Sequence, residues 1–318
     1  VFVVIALGSG LAGFLTINIV LVNWFERQRS TAISLSATGG SVAGLMVPVV
    51  AWALSTYGWR ATALASGILL LVVGLPIARV IRQAPEPYGY LPDGAKAPSN
   101  SGSGQGSAHG HGAATAGVSG GFTAREALRT PAFWLLAAGH GLALMSVSSV
   151  SAHLIPFLVS PAMGMSLEAA ASMVAVLTGA SVVIHVIGGF VGDRVNRRLL
   201  ATLCMVGHTA ALVILATATS VVAVALFAAL QGTAWGFRGP LMTPIRADYF
   251  GRRAIATLEG WAAMVTTAGL TTGPIAAGAI ADRTGDYRLS FLFIAAMALI
   301  GMCCFGLAAR PKVPERVG

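Results

Sequence analysis

Arg238 stands in the run Gln231-Gly232-Thr233-Ala234-Trp235-Gly236-Phe237-Arg238-Gly239, in which no other residue is ionisable. A guanidinium offers a rigid planar fork of N–H donors that grips a carboxylate with two parallel hydrogen bonds, and the flanking Gly236 and Gly239 leave room for a ligand to approach. Glu259 lies in the next apolar stretch. At the helical rise, Arg238 is about 12 Å from Arg246, and Glu259 is about 9 Å from Arg253 at the other side of the turn, so the two reach similar depth. Two readings stay open: Arg238 is the counter-charge of an organic anion, or it forms a structural ion pair with Glu259. His140, His153, His185 and His208 also fall within apolar stretches. Histidine titrates near neutral pH and can couple protons to transport, and a buried neutral ring can equally donate to a nearby carbonyl. His140 and His153, with the polar Asn18 and Gln231, are the candidates for substrate binding or coupling. Ser146, Ser149 and Ser151 could line the same cavity, although serines in helices commonly bond their own backbone.

A second cluster is Gly189-Phe190-Val191-Gly192-Asp193-Arg194-Val195-Asn196-Arg197-Arg198. A carboxylate at Asp193 beside Arg194, Arg197 and Arg198 can make charge-assisted hydrogen bonds to a neighbouring helix end and so latch one conformation. The alternative is a solvated basic turn that only orients the chain, because exposed ion pairs are individually weak.

The elements that carry these residues are membrane helices. Hydrophobic residues make up 56% of the chain and charged residues 10%, with a mean hydropathy of +0.79, far from the roughly 25% charge of a soluble domain. Nine apolar stretches are long enough to span a bilayer: about 1–22, 31–54, 61–80, 132–159, 167–189, 199–218, 221–245, 254–280 and 289–309. They must be helices, because backbone groups in lipid have to be satisfied within the segment. Sixteen of the 20 Lys and Arg residues fall on loops of one side, which the positive-inside rule puts in the cytoplasm together with the C-terminus. That topology accounts for the net charge of +9 and leaves no role for nucleic acid.

The chain also repeats itself. Asn23-Trp24-Phe25 recurs as Asp248-Tyr249-Phe250, 225 positions later, and Pro48 and Tyr57-Gly58-Trp59-Arg60 recur as Pro274 and Gly285-Asp286-Tyr287-Arg288. Two related membrane halves suggest a transporter whose substrate site lies between them. Shifting Pro131 back by the same interval puts the counterpart of the second half about 95 residues ahead of Val1, room for roughly three more helices. The expectation is an all-α multi-pass bundle with nine of twelve helices present, truncated at its N-terminus. Residues 1–83 are read as the last three helices of the first half, 84–130 as a flexible cytoplasmic linker rich in Gly, Ser and Ala, and 131–318 as the six-helix second half with a short tail.

The loop around Asp193 resembles the G-x-L-a-D-r-x-G-r-r signature of the major facilitator superfamily, with Val191 for Leu and Asn196 for the second glycine. Within it, Trp24-Phe25-Glu26-Arg27, Pro87-Tyr88-Gly89-Tyr90-Leu91-Pro92-Asp93-Gly94, Arg129-Thr130-Pro131-Ala132-Phe133-Trp134-Leu135-Leu136 and His153-Leu154-Ile155-Pro156-Phe157-Leu158 are similar to the monocarboxylate-porter and oxalate/formate-antiporter group. The resemblance implies movement of a small organic anion, a monocarboxylate, by alternating access across the inner or plasma membrane, coupled to a proton or a counter-anion. A drug or neutral-metabolite exporter is the alternative within that class, and a membrane sensor reusing the fold is the alternative outside it. No cofactor and no metal are expected: Cys204, Cys303 and Cys304 lack ligand spacing, and His109-Gly110-His111 lacks a third ligand. No phosphate loop or catalytic constellation is found, so enzymatic activity is not expected.

Overall fold

The computed structural model describes residues 8, 13–42, 47–94 and 121–312. Eleven helices are used below: α1 Phe14–Trp24, α2 Arg29–Val42, α3 Val47–Val80, α4 Ala124–Leu128, α5 Pro131–Val159, α6 Leu167–Gly192, α7 Arg197–Ala216, α8 Val221–Arg238, α9 Met242–Phe250, α10 Ile255–Thr284 and α11 Tyr287–Leu307. Seven segments are long and apolar enough to cross a membrane: 56–80, 131–159, 167–192, 197–216, 221–250, 255–284 and 287–307. Of the nine expected spans, the first lies half outside the described residues, and α1 represents its second half. The second is represented by α2 and the opening of α3, with 43–46 between them not described. Gly58, with φ 76°, interrupts α3 at the turn anticipated around Tyr57–Arg60. A side chain would strain that left-handed backbone, so glycine is the residue that fits.

Local sequence fixes the helix ends. Thr130 accepts from the Phe133 amide with Pro131 in the first turn, and Ser166, Asn196, Ser220 and Asp286 cap α6, α7, α8 and α11. Each side-chain oxygen satisfies an amide that the helix leaves unpaired. Gly251 (φ 80°) and Gly285 (φ 73°) terminate α9 and α10.

The six long helices from α5 onward form one bundle in which α10 lies along α5, α6 along α8, and α11 along α7. Small residues allow the approach. A Cβ on Gly269 would stand 2.1 Å from the Gly141 carbonyl oxygen and one on Gly273 2.5 Å from that of Met145; on the other pair, Gly232 and Gly236 face Leu177 and Ser181 carbonyls at 2.2 and 2.8 Å. Phe133, Phe157, Phe227, Phe250, Phe291 and Phe305 fill the interior, while leucines and valines such as Val222 and Leu307 point outward, as expected where lipid is the solvent. Outside this bundle, α2 packs along α6, and Gly189 and Gly192 receive it, a Cβ on Gly189 standing 2.8 Å from the Thr31 Cα.

The internal repeat is visible in detail. Trp24 Nε1 donates to the Arg82 carbonyl just past α3 (2.6 Å), and its counterpart Tyr249 donates through its hydroxyl to the Ala308 carbonyl just past α11 (2.8 Å). The segment 84–130, expected as a flexible linker, has structured ends. Pro92–Gly94 forms a turn whose Asp93 carboxylate accepts from the Glu26 and Arg27 amides, Glu86 pairs with Arg252, and the Phe122 amide donates to the Phe250 carbonyl. Residues 95–120 lie outside the described residues.

Candidate functional site

Two groups of polar residues are built into this frame. The first lies inside the bundle around Arg238, which is completely buried at the end of α8. Its guanidinium sits 4.8 Å from the Trp235 ring centroid, one turn back on the same helix. None of its three nitrogens has a hydrogen-bond partner among the described residues. The aromatic face contributes about 2 kcal/mol once desolvated, whereas an unpaired buried charge costs several kcal/mol. Trp235 therefore does not compensate Arg238.

Arg238 and Glu259 are not paired. Glu259 Oε1 accepts from Arg246 Nε at 2.9 Å, with both side chains about 95% buried. The ion pair with Glu259, one of the two readings open for Arg238, is not formed, and the reason is structural: Arg246 is not a loop residue. The chain turns through a 3-10 segment at Gly239–Leu241 and continues as α9 to Phe250, carrying Arg246 into the bundle.

The histidines divide by partner. His153 Nε2 donates to the Pro274 carbonyl at 2.9 Å, and the His185 Nδ1 donates to the Ser181 carbonyl at 2.7 Å. His208 Nδ1 donates to Gln231 Oε1 (3.0 Å), and Gln231 Nε2 reaches Ser146 Oγ (3.4 Å), forming a buried chain from α7 through α8 to α5. His208 Nε2 and His140 Nδ1 are buried with no partner among the described residues, and both rings lie within electrostatic reach of Arg238. Asn18, on α1, is buried with its Oδ1 unpartnered, and no hydrogen bond among the described residues joins it to this group. Ser149 and Ser151 bond their own helix through the Met145 and Val147 carbonyls.

The second group joins α2 to the bundle at the end that carries most of the basic residues. Asp193 caps the N-terminus of α2 from another helix: it accepts from the Ser30 amide (2.8 Å), the Thr31 amide (3.0 Å) and the Thr31 hydroxyl (2.7 Å). Arg197 holds the same carboxylate at 2.9 Å, reaches Ser30 Oγ and the Gly192 carbonyl through Nε, and pairs with Asp248. Asp248 also takes Arg29 NH1 at 3.1 Å. Burial works against ionisation of Asp193, but the hydrogen bonds from Thr31, Ser30 and Arg197 together outweigh it and hold the carboxyl below its ordinary value. Arg198 donates to the Ala308 carbonyl instead, and the Arg194 side chain joins no hydrogen bond or ion pair among the described residues. Arg29, Ser30, Thr31 and Asp248 had not been singled out from sequence. The signal for Asp248 was present, since it is the repeat counterpart of Asn23.

The Major Facilitator Superfamily profile matches residues 1–216 and 137–318. A curated relative, the MFS transporter asaE of Aspergillus flavus, is 26% identical over 292 residues, covering 90% of this chain and 59% of the relative, so the chain spans about three-fifths of that protein's length. Among solved structures, the fucose:proton symporter FucP of E. coli superposes with a TM-score of 0.66 at 14% identity, covering 92% of this chain and 72% of that one. A second FucP structure, in the outward conformation, gives 0.62 at the same identity. At that identity the likeness concerns the fold.

Proposed function

Because the chain belongs to the major facilitator superfamily, a family of transporters rather than of enzymes, we propose that it is the substrate-handling part of a secondary active transporter for a small organic anion, a monocarboxylate, working by alternating access. The observation that carries this reading is Arg238: a fully buried guanidinium with no acceptor among the described residues, which Glu259 does not neutralise. A carboxylate with its bidentate geometry supplies what that site lacks. Residues 1–83 and 131–318 are read as parts of the two halves flanking the path, joined by 84–130, with the basic end and the C-terminus facing the cytoplasm of the inner or plasma membrane. The network around Asp193 is read as the latch that keeps the cytoplasmic side closed. His140 and His208, each with an open ring nitrogen near Arg238, are the residues through which a proton would be coupled; a counter-anion is the other coupling partner considered.

The test is uptake into proteoliposomes holding the full-length protein, with labelled monocarboxylates, a dicarboxylate and a neutral hexose. Saturable monocarboxylate uptake is expected. Arg238→Ala abolishes it without lowering membrane abundance, and Arg238→Lys keeps the charge but loses the fork, weakening apparent affinity roughly tenfold. Uptake of the neutral hexose alone, or carboxylate uptake untouched by Arg238→Ala, would overturn the assignment.

A further inference from the structure

At the basic end a cleft of about 480 Å³ lies between the start of α7 and the ends of α9 and α11, lined by Asp193, Arg197, Arg198, Asp248, Tyr249 and Arg310. Its charges do not cancel. Asp193 is saturated by four donors, and Asp248 is shared by Arg29 and Arg197. Arg197 in turn is fully engaged, its three nitrogens turned to Ser30, Gly192, Asp248 and Asp193. That leaves two guanidiniums in excess. Arg198 meets only neutral partners, the Ala308 carbonyl at 3.3 Å and the Tyr249 hydroxyl, and Arg310 makes no hydrogen bond or ion pair among the described residues. The N-terminus of the 20-residue α7, whose first amides are turned toward the Asn196 side chain, adds the positive end of its dipole to the same cleft. On α7 and α11, the helices whose ends line the cleft, Leu199, Leu203 and Leu307 are more than half exposed, an apolar surface suited to acyl chains.

We propose that this cleft is a binding site for a phosphate-bearing anion held between Arg198 and Arg310, supplied either as the headgroup of an anionic phospholipid or as free phosphate. Two forked donors lining one cleft match a phosphate's oxygens, and basic pockets at helix ends recruit such headgroups. The site shares Arg197 and Asp248 with the network around Asp193, so its occupancy bears on the same closed face. It does not depend on what the protein transports.

Full-length protein in phosphatidylcholine nanodiscs is compared with nanodiscs containing phosphatidic acid, reading lipid retained per protein by native mass spectrometry; inorganic phosphate is titrated separately by equilibrium dialysis. Retention of phosphatidic acid over phosphatidylcholine supports the site with a lipid source, and saturable phosphate binding supports it with a soluble one. Arg310→Gln, beyond the last helix and so harmless to folding, weakens whichever is bound roughly fivefold, and Arg198→Gln with Arg310→Gln weakens it by about the square of that factor. Arg283→Gln, at the opposite end, leaves it unchanged. Binding of neither probe above the phosphatidylcholine background, parent-like binding in the double variant, or equal loss in Arg283→Gln overturns the proposal.

Discussion

Arg246 and Glu259 meet at 2.9 Å in a part of the bundle closed to water, where desolvation makes each charge dependent on the other. Removing one partner should leave the second buried and unpaired, a loss of about 3–5 kcal/mol, whereas replacing both by apolar residues of similar volume should be close to neutral. Glu259→Gln is therefore expected to lower the unfolding midpoint of detergent-purified protein and its membrane abundance, and Arg246→Met with Glu259→Leu to restore both. A double variant no better than the single would mean that the pair serves some purpose besides mutual neutralisation. The sequence made the buried charges legible, since ionisable residues stand out in apolar runs, but the only partner it offered for Glu259 was Arg238. The hydropathy of the seventh stretch falls away at Ile245, so Arg246 read as loop; a helix can continue past the end of an apolar run when a buried carboxylate receives its next charge. The histidines show the same limit. What separates His153, bonded to Pro274, from His140, with an open nitrogen, is a contact between distant helices, which local spacing does not encode.

At the level of helices, close pairing is set by where small residues fall. Gly269 and Gly273 stand four apart on one face of α10, and Gly232 and Gly236 have the same spacing on α8 and approach α6 about as closely. The contacts make a graded prediction. At Gly269 an added methyl meets the Gly141 carbonyl at 2.1 Å, a backbone atom that cannot rotate away, so Gly269→Ala should force α10 from α5 and cost at least the roughly 1–3 kcal/mol of an overpacked core. Gly260, on the same helix, has nothing within 4 Å of its Cβ position. Gly260→Ala should be neutral or stabilising by up to about 1 kcal/mol through helix propensity. Thermal unfolding of the two variants side by side checks this, and equal behaviour would remove close backbone approach as the reason for Gly269. The linker was the element least legible from composition. Its low-complexity middle hid the short anchors at Asp93, Glu86 and Phe122, which depend on partners far along the chain.

For the whole molecule, the repeat predicted two related halves, and Trp24 and Tyr249 now occupy equivalent posts at the ends of α3 and α11. In the alternating-access mechanism proposed, the contact between α2 and the bundle breaks and re-forms, and that contact has two layers: the ionic one around Asp193 and Asp248, and an apolar one of Val22, Ile33, Ala247 and Ile255. Only the ionic layer was expected. A thiol at position 33, buried at 1% exposure, would report on opening because it becomes reachable only when the layers part. Asp193→Asn retains the shape but gives up the charge-assisted bonds, each worth about 1.5–3 kcal/mol, so the open population should rise roughly tenfold or more. The sign with pH follows from the lowered pKa of Asp193. A carboxyl whose native value is depressed contributes fully above its free value of about 3.9 and loses its contribution only as the pH falls through the lower native value. Between pH 6 and 8, then, Ile33→Cys, with Cys204, Cys303 and Cys304 replaced by Ser, should label faster in the Asp193→Asn background by a factor that does not change with pH. A ratio of one would reduce Asp193 to an orientation signal, and a ratio that varied across that range would mean that a histidine, not this carboxylate, governs the closed face.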